Sequence, residues 1–309
     1  MTFPLTWLRT CVLSVLFMAC ASAQFESASL KGSVLNESGK PLGGATVSAS
    51  NENTGAIEKV TADASGFYLF PSLRPGSYFI TVRAIGYKQL IIMKYSLQVN
   101  QAARLDLPLD ASDSDEPVYR AATQTLLDTE SSSRGAVVNQ QNIAELPLNG
   151  RDYNQLALLT PGVSSGTPRL LSIGFRGAFN VNGNRAFQNA FQLDGVDNTS
   201  YSNSFRGNNM QVIQPSMEAL QEFKMQTNAY SAEFGRSAGA LVNAITRSGA
   251  NAMHASAYEY HRNDNLDASN FFTNRNGLDR PARLRNQFGG AIGGHILPNR
   301  TFFFGDYEG

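Results

Sequence analysis

The chain has 309 residues with 25 basic and 25 acidic side chains, so no positive excess is present to neutralise phosphates, which argues against nucleic acid as a partner. Its two cysteines, Cys11 and Cys20, both lie near the N-terminus, and the rest of the chain can form no disulfide, thiolate metal site or cysteine nucleophile. No apolar run reaches the roughly 20 residues of a membrane-spanning helix, which leaves β-strands or peripheral attachment as routes to a membrane.

The first element reads as an export signal. Arg9 gives a positive n-region, residues 11–19 an apolar h-region, and Ala21, Ser22 and Ala23 a small-residue cleavage site. Cutting between Ala23 and Gln24 is expected, placing the remaining chain outside the cytoplasm. The residues before Cys20, Phe17, Met18 and Ala19, make a poor lipoprotein signal.

Residues 24–110 have the rhythm of a small β-sandwich. Strands are expected near 29–36, 45–51, 56–62, 66–71, 77–84, 88–93 and 97–107, with turns at 37–41, 63–66 and 74–76. In 77–82, Tyr78, Ile80 and Val82 share one face, a period of two that buries one side of a sheet. The character then changes: Asp106, Asp110, Asp113, Asp115 and Glu116 precede a serine run at 131–133. Low hydrophobicity and like charge mark 111–136 as a mobile linker.

A third segment, 137–250, is mixed. Residues 140–145 are expected to form one or two helical turns ended by Pro147. Asn149 is expected to cap a second helix over 151–159, with Leu156 and Leu159 inward and 160–162 as its stop. Strands at 222–227 and 241–246 flank a compact turn holding Tyr230, Phe234, Gly235, Gly239 and Ala240. Glycine there admits positive φ and lets backbones approach closely.

Residues 251–309 contain strand-length units at 252–262, 286–296 and 301–308, each near the roughly 9 to 11 residues of a tilted outer-membrane strand. A long loop, 263–285, and a short turn, 297–300, connect them. Long outer loops and short periplasmic turns set the orientation, the first strand running up and the second down. In the second unit Phe288, Gly290, Ile292, Gly294 and Ile296 share a face suited to lipid, and Gln287, Gly289, Ala291, Gly293 and His295 share the lumenal one.

Catalytic groupings are absent from this pattern. His254, His261 and His295 fit no short zinc motif, and the first two, seven apart, lie on opposite faces of a strand. Asp264 and Asp267 flank a loop as solvated carboxylates, and residues 289–294 lack the lysine and helix start of a phosphate loop. No enzyme, cofactor or metal site is expected.

Several strings together resemble one family. GSVLNESGKPLGGATV, DASGFYLF and LRPGSY resemble the carboxypeptidase-regulatory-like module, a transthyretin-like sandwich. LPLNGRDYNQLALLTPGV, IGFRG (173–177), VNGNR (181–185), FQLDGVD (191–197) and residues 222–249 resemble the plug of TonB-dependent outer-membrane receptors in the Oar-like branch. FGGAIGGHILPNRTFFFGDYEG is similar to the start of that family's barrel. Departures are Asn36 where aspartate is frequent, and His295 where proline is.

The resemblance implies a mainly β fold: a transthyretin-like sandwich (24–110), a linker (111–136), an α+β plug (137–250) and about three strands of an incomplete barrel (251–309). It implies a sandwich without peptidase activity and a plug that blocks the pore and rearranges when a ligand binds outside. Arg176, Asn184, Arg185, Asp194 and Asp197 are its polar plug-motif residues. Paired charges of this kind either hold a plug in a polar lumen without a greasy interface, or satisfy turns and internal ion pairs. In the linker, 116–121 is the nearest candidate for a TonB-contacting strand, although Pro117 removes a donor.

Large plugged transporters have about 22 strands and need on the order of 220 strand residues. Three strands are present, so an N-terminal piece of a longer receptor is expected. The implied function is uptake or surface handling of a bulky polar solute at the outer membrane, with outer-membrane lipids and the TonB energy-transducing complex as partners. An alternative is a secreted carbohydrate- or protein-binding adhesion sandwich with a vestigial plug.

Overall fold

The computed structural model describes residues 27–111, 116–122, 130–146, 148, 150–166, 178–201 and 210–309. The expected signal with Ala23 and Gln24, the helix punctuation at Pro147 and Asn149, and Arg176 with its 173–177 string lie outside the described residues.

The first unit is a sandwich of two sheets. One has the order β4 (Phe67–Leu73), β1 (Ala28–Asn36), β7 (Ala102–Arg104), with β8 (Leu107–Leu109) also on β1. The other runs β3 (Ile57–Thr61), β2 (Thr46–Asn51), β5 (Gly76–Arg83), β6 (Leu90–Leu97), β9 (Val118–Ala121). Alternation decides which side chains are buried: Leu30 and Val34 in β1, Val47 and Ala49 in β2, Tyr78, Ile80 and Val82 in β5. The two sheets enclose a core with Tyr68, Phe70 and Leu107.

Two strands depart from expectation. The segment 88–93 extends to Leu97, because a bulge with Lys94 at φ 57° lets β6 stay paired with β5. The segment 97–107 breaks in two. Asp106 turns inward to accept the Ser33 N–H at 2.9 Å, and the Tyr68 hydroxyl donates to the Leu105 carbonyl at 2.6 Å. The linker is not wholly free either: Val118–Ala121 is the edge strand β9, parallel to β6.

The central body is a mixed sheet ordered β10 (Arg134–Asn139), β15 (Leu220–Asn228), β16 (Leu241–Thr246), β13 (Ala190–Leu193), β14 (Val196–Asp197). A small ribbon, β11 (Val163–Ser165) with β12 (Phe179–Val181), lies beside it. Helix α1 (Gln140–Glu145) starts where Asn139 Oδ1 accepts the Asn142 N–H. The expected second helix is a 3-10 turn, Tyr153–Leu159, and its cap is Asp152, which accepts from Asn154. Leu159 is a correction: it is exposed, while Tyr153, Leu156 and Ala157 are buried. An ideal 3-10 turn would eclipse 153, 156 and 159, but along this one burial drifts from Tyr153 and Leu156 to Ala157 and Thr160, which leaves Leu159 outward. Edge-to-face rings, Tyr153 on Phe223 at 5.4 Å and Phe179 on Phe191 at 6.0 Å, fill the core.

The last unit is an open antiparallel wall: β17 (His254–Asn263), β18 (Leu284–Leu297) and β19 (Thr301–Glu308). Its long connection carries a 3-10 turn and a short helix α2 (Phe271–Arg275) capped by Asn270. Phe288, Ile292 and Ile296 are exposed on one face, whereas Gln287, Ala291 and Gly293 are buried on the other, as the parity of β18 requires.

Candidate functional site

Two string motifs of the central body are tight hairpin turns. In VNGNR, Asn182 and Gly183 have φ of 50° and 82°; in FQLDGVD, Asp194 and Gly195 have φ of 51° and 79°. Two successive positive φ values define the type I′ turn, whose twist matches that of paired strands and which favours Asn-Gly and Asp-Gly. The polar side chains complete these turns. Asp194 accepts the Thr246 N–H at 2.9 Å and the Thr246 hydroxyl at 2.8 Å, tying the β13–β14 hairpin to the end of β16. Asp197 accepts the Thr199 N–H and the Tyr201 hydroxyl. Burial acts to raise the pKa of Asp197, yet these hydrogen bonds and nearby Arg236 hold it below the ordinary value. Asn184 Nδ2 donates to the Ala238 carbonyl at 2.7 Å, and the Arg185 N–H donates to Gln188 Oε1 at the start of a 3-10 turn (Ala186–Gln188). Every one of these bonds stays inside the central body.

The turn between β15 and β16 differs in detail from expectation. Its positive φ values belong to Ala229 and Arg236, not to Gly235 or Gly239. Gly239 serves the second purpose, close approach: a Cβ there would strike Asn189 and the Gln188 backbone. Tyr230 closes the turn by donating to the Ser237 carbonyl at 2.6 Å.

A second cluster was not foreseen, and it joins the central body to the wall. Strand parity puts Tyr258, Tyr260, Gln287, Asp306 and Glu308 on the inner face of β17–β19. Against them stands Arg151, held at φ 53° just before Asp152 caps the 3-10 turn. Its guanidinium carbon lies 4.0 Å from the Tyr258 ring centre and 4.9 Å from that of Tyr260. Arg151 also donates to Glu218 at 3.0 Å, and its Nε stands 3.7 Å from Glu308, an ion pair without a hydrogen bond. Tyr258 and Gln287 both donate to Glu308 at 2.7 Å, and Ser256 donates to Glu218 at 3.1 Å. The Arg151 side chain is only 10% exposed, so this is a largely buried, charge-assisted network.

Around it the contact remains polar. Ser216 donates to Asp306 at 2.7 Å, Arg285 to the Gly150 carbonyl at 3.4 Å, and Arg247 lies over the Phe304 ring. Gly249 passes so close to the Gly294 and Phe303 backbones that no Cβ fits. Sequence reasoning missed Arg151, Glu218 and Glu308. The available signal was parity: Asp306 and Glu308 share one face of β19, alongside Phe302 and Phe304.

The sandwich also touches the central body. Glu222 and Lys224 of β15 are both 8% exposed. Glu222 accepts the Val99 N–H at 2.5 Å, and Lys224 donates to the Asn100 carbonyl at 2.8 Å. Burial pushes the Glu222 carboxyl up to about 7, with the Val99 N–H and Lys224 acting against it.

The remaining candidate groups have structural partners. Asp267 forms an ion pair with Arg262 at 2.9 Å, and Asp264 accepts the Arg283 N–H. His261 faces Asn286, and His295 contacts the Asn251 carbonyl. Among the described residues no three His, Cys, Asp or Glu side chains gather as metal ligands, and no helix is long and apolar enough to cross a membrane, a statement that does not bear on strands.

Comparison with known proteins matches residues 29–110 to the carboxypeptidase regulatory-like domain and 245–309 to the outer membrane beta barrel domain. Over 306 residues the chain is 26% identical to the TonB-dependent transporter Oar of Myxococcus xanthus, covering 95% of this chain and 27% of that protein. The chain therefore spans about a quarter of that curated relative. Among solved structures, the siderophore receptor PirA of Acinetobacter baumannii aligns at 17% identity and TM-score 0.44, over 60% of this chain and 26% of that one. The ferric enterobactin receptor PfeA of Pseudomonas aeruginosa aligns at 14% and 0.38, over 55% and 24%.

Proposed function

We propose that this chain, an Oar-like relative of the TonB-dependent receptors with an N-terminal carboxypeptidase regulatory-like domain, supplies the sandwich, plug and first wall strands of an outer-membrane transporter. In this reading residues 1–23 are a signal cleaved before Gln24. Residues 24–110 are the regulatory-like sandwich, 111–136 the linker, 137–250 the plug, and 251–309 the start of the barrel. Arg176, Asn184, Arg185, Asp194 and Asp197 are the polar plug-motif residues, and the turn contacts of Asn184, Arg185, Asp194 and Asp197 support that role. The cargo is a bulky polar solute, taken up or handled at the surface with force from the TonB complex. Its relatives are transporters and receptors, and this chain is no enzyme.

One observation carries the reading most directly. The wall has an apolar exposed face, with Phe288, Ile292 and Ile296, and a polar face that the central body partly covers through Arg151, Glu218, Tyr258 and Glu308. Lipid outside and a withdrawable plug inside require that division. A polar contact lets a plug separate without exposing a dry apolar surface. The alternative, an adhesion sandwich with a vestigial remainder, is not favoured, because the match to the transporter runs through 95% of the chain.

Cell fractionation tests the proposal. The receptor to which these residues belong should sediment with outer membranes and migrate anomalously on gels unless boiled. Recovery as a soluble periplasmic protein overturns the reading.

A further inference from the structure

Strand β9 occupies an unusual place. It follows the sandwich in sequence, precedes the plug, and is added in parallel to the open edge of β6, with Leu90 beside Val118, Ile91 beside Tyr119, Ile92 beside Arg120 and Met93 beside Ala121. The Val118 N–H donates to the Gln89 carbonyl at 2.8 Å, and the Ala122 N–H to the Met93 carbonyl at 3.2 Å. Val118 and Ala122 also pack against the sandwich core, while Tyr119 is 59% exposed.

Backbone groups alternate in direction along a strand, so these two bonds fix the sides of β9. The N–H groups of Val118, Arg120 and Ala122 point to β6, and those of Tyr119 and Ala121 to the open edge. Position 117 also faces the open edge, and there proline has no N–H to offer. Pro117 therefore costs the β6 pairing nothing, and it blunts the free edge against a further strand, as proline on edge strands does. The donor-complete side of this segment is the one already in use.

The attachment is also light. It is four residues long, parallel, at a sheet edge, and its accompanying ion pair, Arg120 with Asp110 at 3.5 Å, is about two-fifths exposed on both sides. Such a strand can peel away at the cost of the half-buried contacts of Val118 and Ala122, leaving β6 as the edge of a sheet whose remaining four strands stay paired.

We propose that the sandwich is a holder for β9: docked on β6, the strand is withheld, and a partner sheet with an open edge captures it only after it has left the sandwich. The partner is the TonB domain of the function proposed above, on which this inference rests. The sandwich thereby sets the threshold for coupling, since capture requires one strand pairing to be exchanged for another.

A reversible lock tests the exchange. Adjacent strands lie about 4.8 Å apart, within reach of a disulfide, and Ile91 and Tyr119 are register neighbours on the side away from the buried Leu90 and Ile92. The full chain carrying I91C and Y119C is oxidised, and its capture by the purified periplasmic domain of TonB is compared with that of the same protein after reduction. Capture at least tenfold weaker when oxidised, and restored by reductant, supports the proposal. Equal capture in both states overturns it while leaving the receptor reading intact. Failure of the unsubstituted chain to be captured overturns both. Independently of the variants, amide exchange on the unsubstituted chain should quicken at Ile91 and Met93 when the TonB domain binds, because their N–H groups lose β9. Unchanged protection there with the partner bound also overturns the holder.

Discussion

Arg151 joins the central body to the wall both through charge and through ring stacking. It neutralises two carboxylates, Glu218 and Glu308, and stacks on two tyrosines while being 10% exposed. Removing one member of a buried charge network leaves the others desolvated and unpaired, at a cost of about 3–5 kcal/mol. R151A should therefore lower the denaturant midpoint of the folded chain by that order, and protease should cut sooner between plug and wall. R151K should rescue poorly, because an ammonium cannot both fork to a carboxylate and lie flat on a ring. Chemical denaturation of the three proteins side by side checks the ranking; equal midpoints for R151K and the parent would refute the stacking argument. Apart from Asp306 and Glu308 sharing one face of β19, nothing local in the sequence announces this cluster. Its members come from five separate segments and meet only once the wall is built.

At the scale of elements, the strings that made the chain recognisable are turn chemistry. Asn182-Gly183 and Asp194-Gly195 are placed where two successive residues need positive φ, and Asp194 adds two bonds to Thr246. G195V puts a β-branched residue at φ 79° and should cost about 1–3 kcal/mol. The loss should appear as faster amide exchange in β13 and β14, with the sandwich unchanged. An unaltered exchange pattern would mean that the turn does not depend on glycine. The short helix at 140–145, the alternating strands of the sandwich and the two-faced β18 were legible because each rests on residues a few positions apart, whereas the Asn-Gly and Asp-Gly turns were legible only as family strings and the Asn139 cap was not foreseen. Leu159 and the second helix were less so: the segment folds as a 3-10 turn capped by Asp152, and burial drifts along it to Ala157 and Thr160, which leaves Leu159 outward. For β9 the segment 116–121 was legible as a candidate contact strand, but its pairing with β6 was not foreseen, for a different reason. Its acidic, serine-rich surroundings outweighed a short apolar pattern whose pairing partner, β6, lies outside the linker.

Across the whole molecule, the three units meet through polar groups, and the contact between sandwich and plug is tuned by one of them. Glu222 is buried against Val99, and burial raises its carboxyl from the ordinary 4.5 to about 7. A group whose folded-state pKa is raised binds its proton more tightly in the folded protein than in the unfolded one. Its contribution is thus full below about 4.5 and is lost as pH rises through about 7. The full chain should consequently lose on the order of 3 kcal/mol between pH 4.5 and pH 8 from this residue alone, at about 1.4 kcal/mol per pH unit. E222Q, which keeps an acceptor for the Val99 N–H without the charge, should lack that part of the slope and be the more stable protein at pH 8. Urea titrations of both proteins at pH 5, 6, 7 and 8 decide the matter. Parallel curves would show that the carboxylate is solvated and the contact open. Curves that separate as pH rises would show that Glu222 is sealed between the sandwich and the central body, and that the two part more readily as the surroundings become alkaline.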